Sequence, residues 1–194
     1  MHSENAEFTQ YMNILRIIVY CILLLIICFL TYSLATSYQE NASRNQVSFI
    51  IWTIDMIDLF IHETGHLIFS IFGRFMGFLG GSLFQVIIPI AAVIVFGRSS
   101  LQSIPFTFYW TGQSMVNVSI YIGDAPYQRL QLISRGAIHD WRWILNHAGM
   151  MDCAADIALI VNTMGLLICC IGIAIGIYIV IKDCINLSSP ASQA

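Results

Sequence analysis

Charge is the scarcest property of this chain. Asp, Glu, Lys and Arg together make up 10% of its 194 residues, against about 25% in an ordinary soluble domain. With 58% hydrophobic residues and a mean hydropathy of +0.77, the composition is that of an integral membrane protein, read as one domain over 1–194. Cations are fewer than anions, eight Lys and Arg against eleven Asp and Glu, for a formal net charge of −3. No basic patch is visible, so nucleic-acid binding has no support. The six cysteines (Cys21, Cys28, Cys153, Cys169, Cys170 and Cys184) never form C-x-x-C. Most lie in apolar runs and read as buried thiols, which excludes a disulfide framework and a zinc knuckle. The start lacks the positive charge and small-residue cleavage site of a signal peptide. No repeat, low-complexity segment or soluble regulatory domain is visible.

Long apolar runs are abundant. They predict an all-α, polytopic membrane protein with about five transmembrane helices, over about 14–35, 47–72, 75–96, 104–122 and 157–181. A polar loop, TSYQENASRNQ, separates the first two runs and holds a glycosylation sequon at Asn41 and Ser43. Gly73 and Arg74 form a tight break before the third run, which Gly77, Gly80, Gly81 and Pro89 interrupt. Such glycines permit close helix packing. They also permit an unwound segment, whose edge could pair with an extended substrate.

The long connection 123–156 contains one further helical signal. Trp141, Ile144, Leu145 and Ala148 fall at i, i+3, i+4 and i+7, between Gly136 and Gly149. That pattern predicts an amphipathic helix, interfacial or re-entrant. A polar tail is expected from Lys182. With five spans, Arg16, Arg74, Arg129, Arg135 and Arg142 fall on one side and Arg44, Arg98 and Lys182 on the other. The excess predicts a cytoplasmic N-terminus.

The second run contains His62-Glu63-Thr64-Gly65-His66. Residues four apart share a helix face, so the two imidazoles can grip one cation, with Glu63 in reach of a water on it. H-E-x-x-H on a helix is a zinc metalloprotease signature in which Glu is the general base. Ionisable groups within a membrane span are costly and usually functional. The bland alternative is a coincidental histidine pair. On a helical projection Asp55, Asp58, His62 and His66 fall within about 80° of one another, and Glu63 lies about 60° beyond. This polar stripe must face the protein interior or a wet cavity. Asp58, one turn before His62, is a candidate to accept its free ring N–H. Alternatively Asp55 and Asp58 mark a wet entrance. On the fourth run, Asn117 either bonds across helices or donates to a developing oxyanion.

A catalytic zinc needs about three protein ligands and one open position. The third candidate comes first from the pair His139-Asp140, with Asp140 favoured and His139 as the alternative. Asp124, His147, Asp152 and Asp156 remain behind them. Asp140 could equally serve as the N-cap of a helix beginning at Trp141.

A transmembrane helix bearing HETGH resembles the site-2 protease-like intramembrane zinc metalloproteases. The wider pattern GGSLFQVIIP, WTGQSMVN and HDW extends the likeness over about 50–161, as an uncharacterised branch. The resemblance implies one Zn2+ held by His62, His66 and a distant aspartate, with Glu63 as base. It implies membrane lipid as the surroundings and a transmembrane or membrane-proximal protein as substrate. The family's aspartate sits in L-D-G after N-x-x-P; this chain has no L-D-G, and Ile120 stands in the proline's place after Asn117. Two rival expectations remain: a non-enzymatic metal-binding or metal-transporting membrane protein, and a catalytically silent scaffold.

Overall fold

A computed structural model of the chain describes residues 2–38, 48–130 and 138–188. The sequon at Asn41 and Ser43, Arg44, Arg135, Gly136 and residues 189–194 lie outside the described residues. Among the described residues all regular structure is helical and no strand occurs, as the apolar runs predict.

The first helix, α1, covers His2–Thr36, so its backbone is helical well before the apolar run begins. Helix α2 covers Phe49–Phe69, and Ser48 caps it by accepting a hydrogen bond from the Ile51 backbone N–H at 3.4 Å. A 3-10 turn over Ser70–Phe72 and Gly73 at φ 99° end it. Glycine alone enters that backbone region without steric cost. Helix α3, Arg74–Ser99, passes through Gly77, Gly80, Gly81 and Pro89 without a break. The unwound edge for a substrate therefore does not form, and the glycines serve packing. Helix α4 covers Ile104–Asp124 with Pro105 in its first turn, where a missing N–H costs nothing. The amphipathic signal becomes α5, Asp140–His147. Ile144 and Leu145 are buried, but Ala148 is exposed because the helix has ended and Gly149 turns the chain at φ 65°. Helix α6, Ala154–Ser188, overruns the expected end of the last span, since nothing from Lys182 to Ser188 opposes a helix.

Three segments, Phe8–Thr36, Arg74–Ser99 and Met151–Ser188, are long and apolar enough to cross a membrane. Helices α2 and α4 are 21 residues each, about 30 Å at 1.5 Å per residue. They have the length of a span, but they carry the polar side chains.

Those polar side chains position everything else. Helix α4 is buried along nearly its whole length, between α6 and α3, with α1 beside it. The pairing of α4 with α6 is the most extensive in the molecule, followed by α2 with α3. Gly112 of α4 lies against the Gly165 carbonyl and the Cys169 side chain of α6. Small residues of this kind let two backbones approach where burial supplies little force between helices. Tyr109, Val116 and Cys169 join Ile27, Leu30 and Leu34 of α1 in one apolar cluster. A second cluster, Val118, Ile122, Ala125, Leu145 and Ala154, seats α5 against the ends of α4 and α6.

A Cβ at position 112 meets backbone as well as side chain, so the neighbours cannot yield by rotamer change alone. Gly112→Ala is expected to lower stability by about 1–3 kcal/mol, read as an earlier unfolding midpoint in a denaturant titration of detergent-solubilised protein. An unchanged midpoint contradicts the close α4–α6 contact.

Candidate metal centre

His62 and His66 stand one turn apart on α2, with ring centroids 4.7 Å apart. They lie one to two turns from the C-terminal end of α2, and α5 docks over that end. Nε2 of His62 is 3.2 Å from Oδ2 of Asp140, and Nε2 of His66 is 3.3 Å from the same oxygen. One potential ligand atom from each residue falls within 4.8 Å of the other two. Asp140 and His62 are 78 positions apart in sequence, so the cluster is made by the fold.

The outer nitrogens of both rings are occupied. Nδ1 of His66 meets the Gly77 carbonyl at 2.7 Å, and Nδ1 of His62 meets Oε1 of Gln85 at 3.1 Å. Both partners are acceptors, so Nδ1 of each ring donates outward and Nε2 of each ring is the nitrogen that faces Asp140. Two ring nitrogens and one carboxylate oxygen then face one another, and either protons on the rings or a single cation can satisfy them. Two ligands at about 2.0–2.1 Å from a tetrahedral zinc stand about 3.3–3.4 Å apart, which matches the two measured separations. Gly81 keeps the space beside the rings open: a Cβ there would lie 2.6 Å from His62 Nε2 and 2.7 Å from His66 Cε1. The donor set therefore fits a metal ion.

Tyr121 of α4 clamps Asp140 at both ends. Its hydroxyl donates to Oδ2 at 3.1 Å and accepts from the Asp140 backbone N–H at 3.1 Å. Trp141 adds a bond from Nε1 to Ser82 Oγ at 2.9 Å. Burial alone would raise the Asp140 carboxyl, but the His62 and His66 rings outweigh it and hold the group at about 2.

His139 is turned away from the centre. It caps α5, with Nδ1 accepting from the Arg142 N–H at 3.3 Å, so the N-cap is His139 and not Asp140. Its Nε2 faces Asp124 Oδ2 at 3.4 Å, and burial lowers its pKa despite that carboxylate. Asp124 is itself engaged by the backbone N–H groups of Arg129 and Leu130. His147 stacks on Trp143 instead, with centroids 4.9 Å apart, and Asp152 and Asp156 are exposed. None of these joins the cluster.

The roles suggested for Asp58 and Asn117 are corrected. Asp58 is 1% exposed and accepts from Trp110 Nε1 and Ser114 Oγ, both at 2.9 Å. It marks no wet entrance, and the N–H of His62 goes to Gln85. Asn117 has no donor to spare for an oxyanion, because its amide is committed to Tyr38, Asp55 and Gln85. Interhelical bonding, the other reading of Asn117, is what occurs. Gln85 and Tyr121 are the residues that sequence reasoning passed over. A lone amide in the apolar run of α3 was a usable signal for Gln85; Tyr121 offered none.

Glu63 is half-buried beside His66 and Tyr121. Among the described residues it has no hydrogen-bond partner. No family model, curated protein or solved structure matches this chain, so the geometry carries the functional reading.

Two substitutions separate the alternatives for the third ligand. Asp140→Ala is expected to lose metal and His139→Ala to keep it, measured as metal per chain in detergent-purified protein by mass spectrometry. Gly81→Ala is expected to lose metal as well, because its new methyl displaces the histidine rings.

Proposed function

We propose that this chain is a membrane-embedded zinc metallopeptidase in which His62, His66 and Asp140 hold one Zn2+ and Glu63 is the general base. One observation carries the reading: two inward-facing imidazole nitrogens meet one carboxylate oxygen, from a segment distant in sequence, at separations that suit ligands of a tetrahedral zinc. The neighbouring glutamate, at the position where H-E-x-x-H chemistry needs it, is left without a partner. The assignment of zinc rests on this set of two nitrogen donors and one oxygen donor.

When bound, the metal supplies a Lewis acid that acidifies water and polarises a carbonyl. Glu63 takes the proton of the attacking water and hands it to the leaving amine. Gln85 and the Gly77 carbonyl keep the two rings aimed inward. Tyr121 holds Asp140 and keeps its hydroxyl beside the reacting centre.

We further infer that α2 and α4 also cross the bilayer, making five spans. Their polar faces turn towards each other and are hydrogen-bonded, which removes the cost of placing them in lipid. The substrate class that suits such a centre is a transmembrane or membrane-proximal polypeptide. The arginine excess supports a cytoplasmic N-terminus, and on that reading the centre lies towards the cytoplasmic side. Metal transport is the weaker reading. It needs ligand groups in succession, and among the described residues only one group of three is present.

Glu63→Gln keeps shape and removes the base. Reconstituted in lipid nanodiscs, it is expected to retain zinc at the wild-type ratio and to lose cleavage of a transmembrane peptide library by at least a hundredfold. Cleavage at the wild-type rate sinks the mechanism. Zinc absent from the wild type, even when supplied in excess, sinks the metallopeptidase reading.

A further inference from the structure

We propose that the bundle holds a second cation, a sodium ion, between α2 and α4, with Asp55 and Gln113 as its principal ligands. The site is separate from the histidine centre and shares no ligand with it. Asp55 stands about two helical turns before His62 on α2.

The donors around Asp55 converge on one oxygen. The Tyr38 hydroxyl reaches Oδ1 at 2.7 Å, Gln113 Nε2 at 2.6 Å and Asn117 Nδ2 at 3.3 Å. Among the described residues no donor reaches Oδ2. A carboxylate offers about four acceptor sites, so one oxygen is crowded and the other is bare. All three donors are neutral. Among the described residues the ion pairs are those of His62, His66 and His139, and none of them includes Asp55. Charges taken out of water are ordinarily paired or bound to a metal.

Gln113 brings a second bare oxygen to the same place. Its side chain is 0% exposed, and its Oε1 has no partner. The oxygen and nitrogen of one planar amide are about 2.2 Å apart. Because Nε2 sits on Asp55 Oδ1, Gln113 Oε1 lies within about 4.8 Å of that oxygen. Two oxygens that share a hard cation at about 2.4 Å each stand up to about that far apart. Turning the amide over gains nothing, since its oxygen would then face the carboxylate and its NH2 would be the orphan. Tyr109 stands one turn before Gln113 on α4, in one apolar cluster with Tyr38 and Ile51, and its buried hydroxyl also lacks a partner. Residues four apart share a helix face, so this hydroxyl is placed as a further oxygen ligand. Buried oxygens without partners are rare and costly. A water could donate to Gln113 Oε1 and to Asp55 Oδ2, but it would leave the charge of Asp55 unmatched. A cation meets the oxygens and the charge together. An all-oxygen set suits a hard ion. Only one of these ligands is charged, because both oxygens of Asp58 are already taken by Trp110 and Ser114. One negative charge matches a monovalent ion. Asp55 is only partly buried, which gives the ion an entry path. Once bound, it ties α2 to α4 at the level where Tyr38 brings in the end of α1.

The test uses radioactive sodium on the full chain, purified in detergent with choline as the only other monovalent cation. The wild type is expected to bind sodium saturably, with displacement by unlabelled NaCl and not by choline chloride. Replacing choline by sodium is expected to raise the thermal unfolding midpoint by about 5 °C. Gln113→Met keeps the reach of the side chain and removes the amide. It is expected to weaken sodium binding about tenfold or more while zinc per chain stays at the wild-type ratio. Asp55→Asn removes the charge and is expected to abolish sodium binding. A wild type without saturable binding overturns the proposal and leaves a proton on Asp55 as the neutralising group. Wild-type affinity in folded Gln113→Met or Asp55→Asn also overturns it, since the counts would then come from an adventitious ion only. Displacement by calcium and not by NaCl overturns the monovalent assignment. Tyr109→Phe, which removes a single hydroxyl, decides if neither of the other variants folds: weakened binding supports the site, and unchanged affinity overturns it. A wild type that holds no zinc overturns the metallopeptidase reading alone and leaves the sodium result standing.

Discussion

A carboxylate inside an apolar bundle costs several kcal/mol unless hydrogen bonds meet it. Helix α2 brings Asp55, Asp58 and Glu63 into such surroundings, and the arrangement of the other helices follows from meeting the first two. Trp110 and Ser114 of α4 serve Asp58; Gln113 and Asn117 of α4 serve Asp55. Helix α4 is therefore pinned to α2 by side-chain bonds, while its opposite face is closed on α6 through Gly112 and Gly165. A helix with so many polar groups can be buried because almost every one has a named partner. On α2, Glu63 has no hydrogen-bond partner among the described residues, and it is the group that the proposed chemistry leaves free.

Glycine does the complementary work on α3. Gly80 meets Phe69 and the Gly65 carbonyl, so α2 and α3 come close near the histidine pair. That approach brings the Gly77 carbonyl to His66 and Gln85 to His62. The Gly80-Gly81 pair thus serves two ends. One glycine lets the backbones touch, and the other keeps a methyl out of the space between the rings.

The parts of the site visible from sequence were those set within one helix. His62 and His66 share a face by spacing alone, and the polar stripe from Asp55 to His66 faces inward as the apolar remainder requires. Length and hydropathy are local as well, so the helices lie where the apolar runs predicted, with differences at the ends. What depended on docking between helices was out of reach. Asp140 stood among several candidates because its position follows from how α5 seats on the ends of α4 and α6. Asp58 is a candidate because it stands one turn before His62, and Asn117 because it is a polar amide in an apolar run. Which partner a side chain meets is decided by the facing helix, and α4 takes Asp58 while Gln85 takes His62.

The sequence separation of Asp140 from the histidine pair has a consequence in time. Helix α2 is synthesised well before Asp140 exists, since 78 positions lie between His62 and Asp140. Until α5 is made and its Leu145 joins Ile122 and Ala154, the two imidazoles have no third donor and no lid. A pair of histidines holds a metal far less tightly than a closed set of three ligands. On the proposed reading, a metal ion would be held tightly only after α5 has packed, late in the life of the nascent chain.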